Sequence, residues 1–95
     1  MALFWVYILE LKSLQNKDSF YIGYTQDLTK RITQHKEGKG ARYTKGKKSI
    51  KLAYTETYKT RSEAMRREIE LKKLKRKEKI ELVKNYNPMK DYSLG

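Results

Sequence analysis

The chain has 95 residues, enough for one domain around a thin core, and its lack of cysteine excludes both a disulfide framework and a thiolate zinc site. Its 23 Lys and Arg outnumber 11 Asp and Glu, and the formal net charge of +12 draws polyanions, nucleic acid first among them, to the surface. Charged residues reach 36%, a share that borders on disorder, but 12% aromatic content in clustered apolar runs predicts a folded unit spanning residues 1–95.

Residues 3–11, LFWVYILEL, form a near-continuous apolar run rich in aromatic and branched side chains, the pattern of a buried strand. The run is too short for a membrane span, and it lacks the basic leader and small-residue cleavage site of a signal peptide. The expected location is therefore the cytoplasm, with no membrane partner. Polar residues 12–18 predict a turn, and residues 19–25, SFYIGYT, a second strand paired with the first as an antiparallel hairpin. Gly23 inside that strand weakens it unless a bulge or close neighbour needs the space.

Asp27 predicts the cap of a helix over 28–37, with Leu28 and Ile32 as its apolar line and Gly38 as its stop. Residues 38–49 read as an open basic loop and 50–58 as a third strand. Ser62 is the expected cap of a helix whose apolar positions are Ala64, Met65, Ile69, Leu71 and Leu74. A further helical piece near 77–85 carries Ile80 and Val83, Asn87-Pro88 ends it, and the tail from about 86 is expected to be loose. The order β-β-α-β-α-α predicts an α+β fold with a small antiparallel sheet.

No serine-hydrolase elbow is present, and the lone His35 has no companions for zinc chemistry. The glycine-rich loop fails the phosphate-loop spacing, since Lys45 stands where a second glycine should follow Gly40, so no nucleotide cofactor is expected. Glu68 points between Ala64 and Met65, toward the apolar arc of its helix. Such a carboxylate is either paired, with Lys72 or Arg61, or holds a metal, and helix geometry alone favours the ion pair. Arg31 and His35 share one stripe at the edge of the Leu28–Ile32 line. That is where a cleft opens, although helix geometry taken alone favours an ordinary solvated surface for both. Of the eight tyrosines, Tyr7 and Tyr21 lie on neighbouring strands, either presenting hydroxyls at the sheet surface or packing across it. In GKGARYTKGKK, Arg42, Tyr43, Lys45, Lys47 and Lys48 alternate with glycines, as in a phosphate-tracking, base-stacking segment or a mobile solvated loop.

Taken in order, these residues resemble the GIY-YIG nuclease family from Trp5 to about Tyr92. The first signature reads Trp5-Val6-Tyr7, with tryptophan at its first position, and the second, Tyr21-Ile22-Gly23, is intact. YTQDLTKRITQHKEG looks like the family's first helix, with Arg31 and His35 at its arginine and histidine positions. In EAMRREIELKKLKRKEK, Glu68 matches the metal-binding glutamate. GKGARYTKGKK and NPMKD further resemble small stand-alone bacterial members. Tyr24 stands where several relatives have lysine, and the family's late asparagine corresponds to Asn85, to Asn87 or to neither.

The resemblance implies a three-stranded antiparallel sheet flanked by helices and a nuclease that hydrolyses phosphodiesters with one divalent metal, Mg²⁺ or Mn²⁺. It turns the reading of Glu68 toward a metal ligand. It assigns Arg31 to the phosphate, Tyr7 or Tyr21 to activation of water with a pKa lowered by nearby cations, and His35 to orienting a tyrosine or assisting proton transfer. The expected partner is nucleic acid, DNA ahead of RNA, met by a monomer. A non-catalytic nucleic-acid-binding module on the same scaffold is the alternative.

Overall fold

The structure, a computed structural model, describes residues 3–86. Its elements run β1 (Phe4–Lys12), β2 (Asp18–Thr25), α1 (Leu28–Lys36), a single 3₁₀ turn (Arg42–Thr44), β3 (Ser49–Tyr58), α2 (Arg61–Lys72) and α3 (Arg76–Lys84). This is the α+β fold the sequence predicts, with every strand and helix within about two residues of its expected bounds. The expected Asn87-Pro88 stop, the NPMKD piece and the loose tail beyond Tyr86 lie outside the described residues. No helix among those described is long and apolar enough to cross a membrane.

β1 is the middle strand of a three-stranded antiparallel sheet ordered β2-β1-β3. Tyr7 pairs with Gly23 and Leu9 with Tyr21 on one side, and Phe4 pairs with Tyr58 on the other. A register shift between Ile8 and Leu9, which pair with Tyr54 and Leu52, leaves Ala53 as the extra residue of a bulge in β3. The middle position explains the unbroken apolar run. Val6 and Ile8 face a core formed with Ile22, Ala64 and Leu71, whereas Tyr7, Leu9 and Leu11 face a second core with Leu28. Helices α2 and α3 therefore cover one face of the sheet and α1 the other.

Asp27 caps α1 as expected, accepting the Lys30 N–H at 3.0 Å, and Gly38 leaves the helix at φ +79°. The expected Ser62 cap is corrected to Thr60. Thr60 is extended (φ −125°), and its hydroxyl accepts the Glu63 N–H at 3.2 Å while donating to the Glu63 carboxylate at 2.9 Å. Ser62 lies inside the helix. The apolar arc of α2 is also narrower than expected. Ala64 and Leu71 are fully buried, but Met65 and Ile69 are 43% and 51% exposed, and Ile80 on α3 is exposed too. At 100° per residue, only the line through Ala64, Glu68 and Leu71 stays against the sheet.

Arg67, on the same side of α2, clamps the helix to β3. It donates to both oxygens of Glu56, Nε at 2.8 Å and Nη2 at 3.0 Å, and the Tyr54 and Tyr58 hydroxyls donate to the same carboxylate. Burial alone would raise the Glu56 pKa, but these donors hold it below the ordinary carboxylate value.

Candidate functional site

A cavity of about 410 Å³ opens along the outer edge of β2, where the α1 and α2 sides of the sheet meet. β1 contributes Tyr7, β2 contributes Tyr21, Gly23, Tyr24 and Thr25, α1 contributes Arg31, and α2 contributes Arg61 and Glu68; Gly40 completes the wall from the loop. The structure thus brings together Tyr7, Tyr21, Arg31 and Glu68, which lie far apart in sequence on four different elements.

Gly23 opens the cavity to Tyr7. It stands directly across the ladder from that tyrosine, and a Cβ on it would lie 2.7 Å from the Tyr7 hydroxyl and 3.2 Å from the Tyr21 ring. Any side chain there would push the two phenols apart or seal the cavity. The unexplained glycine of the second strand is therefore a spacer between two tyrosines rather than a bulge.

His35 lies behind Tyr7 and is fully buried, not at the exposed rim of α1. Leu28, Ile32 and His35 follow the i, i+4, i+7 spacing of a core stripe, which is the signal that could have placed it inward. Its Nε2 is 2.9 Å from the Tyr7 hydroxyl and its Nδ1 is 2.9 Å from the Thr44 hydroxyl. Thr44 donates its own proton to the Ala41 carbonyl at 3.0 Å, so it accepts from His35 Nδ1–H. That assignment leaves Nε2 as the acceptor for the Tyr7 O–H. Burial first, and Arg31 second, push the His35 pKa down, which keeps the ring neutral and suited to accept.

Gly40 fits against this ring so closely that a Cβ would sit 2.5 Å from His35 Nδ1 and 2.9 Å from His35 Cα. Thr44 and Gly40 both bear on the His35 ring, and the sequence reading assigned neither to the site. The 3₁₀ turn that carries Thr44 interrupts a segment expected to be open loop.

The Tyr7 phenol differs from expectation. Burial, reinforced by neighbouring Tyr21, pushes its pKa well above the ordinary tyrosine value and outweighs the opposing pull of Arg31. The Arg31 guanidinium does not lower it into the neutral range. The hydroxyl stays protonated and is hydrogen-bonded to a base.

Glu68 is half-buried beside the cavity, and Lys72, one turn on, holds its carboxylate at 3.6 Å. The expected ion pair therefore exists with Lys72. Arg61 instead lies over the rings of Phe4 and Tyr24, 5.2 and 6.0 Å from their centroids. Lys72 is exposed on its outer side, so Glu68 remains open to exchange its partner. Among the described residues no three His, Cys, Asp or Glu gather to cage a metal. One carboxylate in a polar cleft nevertheless fits a hard, hydrated dication such as Mg²⁺, which commonly takes one or two carboxylates and fills its other positions with water and phosphate oxygens.

The basic loop divides. Tyr43 lies nearly parallel to Tyr21, 25° between planes and 6.5 Å between centroids, and Lys47 Nζ sits 4.9 Å from the Tyr43 ring centre. Arg42 and Lys45 are exposed and do not line the cavity. Lys48 is drawn the other way: its Nζ donates to Asn16 at the hairpin tip, and its backbone N–H to Lys12. Of the two asparagines considered, Asn85 is the exposed C-cap of α3, away from the cavity lining, and Asn87 lies outside the described residues.

Comparison with known proteins bears on the family and the fold. The sequence model of the GIY-YIG catalytic domain matches residues 3–87. A UPF0213 protein of Staphylococcus epidermidis is 42% identical over 79 residues, which cover 83% of this chain and 92% of the relative. A UPF0213 protein of Staphylococcus haemolyticus is 42% identical over 83 residues, covering 87% and 96%. The solution NMR structure of a UPF0213 protein from Bacillus halodurans superposes with a TM-score of 0.53 at 40% identity, covering 92% of this chain and 89% of that one.

Proposed function

The chain belongs to the GIY-YIG catalytic domain family, and from that premise we propose that it is a metal-dependent nuclease that hydrolyses phosphodiester bonds of nucleic acid, DNA ahead of RNA. The observation that carries the reading is the convergence of Tyr7, Tyr21, Arg31 and Glu68 on one cavity in a chain of net charge +12.

Arg31 receives the scissile phosphate. Its guanidinium lines the same cavity as the carboxylate and offers several donors to the equatorial oxygens, whose charge rises as the attacking oxygen approaches. Tyr7 takes the proton of the attacking water as it passes its own to His35 Nε2, along the 2.9 Å hydrogen bond already in place. A phenol held well above its ordinary pKa is almost wholly protonated at neutral pH, so the paired transfer matters: no discrete phenolate has to form and survive in the buried site. His35 ends protonated between Tyr7 and Thr44, and Thr44 keeps its ring oriented. Tyr21, packed against the His35 ring at 4.9 Å, forms the wall against which the phosphate is held. Glu68 would hold Mg²⁺ or Mn²⁺, and the cation would supply a Lewis acid for the leaving oxygen. To do so, Glu68 would have to release Lys72, which pairs with it in this structure.

The test incubates the protein with Mg²⁺ or Mn²⁺ and single-stranded, duplex, flap and branched substrates. Nicking is expected. Glu68→Ala and Arg31→Ala should each reduce it by about a hundredfold or more, while binding persists. Salt-sensitive binding without cleavage under any metal would instead establish the non-catalytic module.

A further inference from the structure

A second hollow, about 240 Å³, runs along the same edge strand on the other side of Tyr21. Its floor is Phe20, Tyr21 and Ile22 of β2; Tyr43 closes it from the loop, and Lys72 and Lys79 close it from the helical side. We propose that this groove binds one unpaired nucleotide adjacent to the scissile phosphate, so that the preferred substrate presents a single-stranded segment beside the cleaved bond. The proposal rests on the nuclease reading for its phosphate position and adds the substrate class.

Four observations converge. First, Tyr21 lines both hollows, so a strand with its phosphate in the first has its neighbouring residue at the second. Second, the aromatic wall is presented rather than packed away. Tyr43 is 51% exposed, yet its ring is held nearly parallel to Tyr21 with Lys47 against it. A fixed, exposed ring is a stacking platform, and every base has a face to offer it. Third, Lys79 is half-buried and makes no ion pair among the described residues. A cation on the groove wall without an ion-pair partner calls for an anion, and a backbone phosphate supplies one.

Fourth, β2 is an edge strand, with outward backbone groups that no other strand takes. These can meet the hydrogen-bonding edge of a base. In a duplex both faces of a base are stacked and its edge is paired, so only an unpaired nucleotide can use the ring platform and the strand edge together. The small volume suits one planar ring rather than a folded cofactor. An extended peptide could also use a strand edge, but the lysine walls in a chain of this net charge favour the polyanion.

The experiment measures binding by fluorescence anisotropy without divalent metal, so that cleavage plays no part. The probes are a short labelled oligodeoxythymidylate, the same strand with one abasic position, an oligouridylate, and a duplex of equal length. Tyr43→Ala should weaken single-strand binding about tenfold while duplex binding changes less than about twofold, and Tyr43→Phe should bind as the parent does. The abasic strand should lose affinity to the parent and not to Tyr43→Ala. Comparison of the thymidylate and uridylate arms reads the 2′-hydroxyl together with the 5-methyl group of the base. Equal losses for single strand and duplex, or no loss in Tyr43→Ala, overturn the proposal. Because Tyr43 is exposed, folding is not at stake. Absence of nicking with the expected binding pattern would defeat the nuclease reading and leave the groove assignment standing.

Discussion

His35 carries the strongest consequence of any single residue. Burial and the nearby Arg31 both oppose its protonation, so its folded pKa lies below the ordinary 6.5. The sign follows directly. Below pH 6.5 the unfolded chain takes up a proton that the folded imidazole still refuses, so stability falls as pH drops from 6.5 toward the lowered value and then levels off. The relay from Tyr7 also needs the neutral ring. The acid limb of cleavage should therefore lie below pH 6.5, measured as kcat/KM against pH, and a limb at or above that value would remove His35 from the relay. Sequence resemblance points to His35 as orienting a tyrosine or assisting proton transfer, but not to Tyr7 rather than Tyr21 as the tyrosine it bonds. Nor does it point to Thr44, which fixes the tautomer from nine positions away through a short helical turn.

At the scale of elements, α2 ties the scaffold to the site. It is seated by Ala64 and Leu71, pinned to β3 by Arg67 on Glu56, and started by Thr60. The same stripe that buries Ala64 and Leu71 aims Glu68 at the cavity, so the position of the helix and the position of the carboxylate are one fact. Thr60→Ala should cost about 1 kcal/mol by removing the acceptor for the Glu63 N–H, read as a fall in Tm of roughly 4–8 °C for a domain of this size. Ser62→Ala should be close to neutral, and the reverse ranking would restore Ser62 as the cap. The cap was open to reading, because Thr60 and Glu63 have the T-x-x-E spacing of a capping box. Met65, Ile69 and Ile80 misled because apolar identity was taken as burial. Only the facing stripe of a short helix can reach the sheet.

For the molecule as a whole, charge decides how it meets its partner. With a net charge of +12, and with Arg31, Arg61, Lys72 and Lys79 all lining the two hollows along β2, association should be strongly salt-dependent. If about four phosphates are neutralised on a single strand, log K should fall with log salt at a slope of about −3. That is a loss of roughly 50-fold between about 50 and about 200 mM salt. Isothermal titration across that range checks it, and a slope near zero would show that the charge is merely a solvated surface. Lys48 should contribute little to that slope despite its place in the basic loop, because Asn16 holds it at the hairpin tip.

By itself the sequence determined the elements, their order and the family, because strand and helix periodicity and the spacing of the two signatures are local properties of the chain. It also supplied the sign of the surface, which depends on composition alone. Only the tertiary structure decided that β1 lies between the other strands, that Gly23 faces Tyr7, and that His35 turns inward to a tyrosine and a threonine. Each of these is a contact between segments distant in sequence or a choice of one helix face over another. Such contacts are fixed when the sheet and helices pack together, not by the preferences of any one segment.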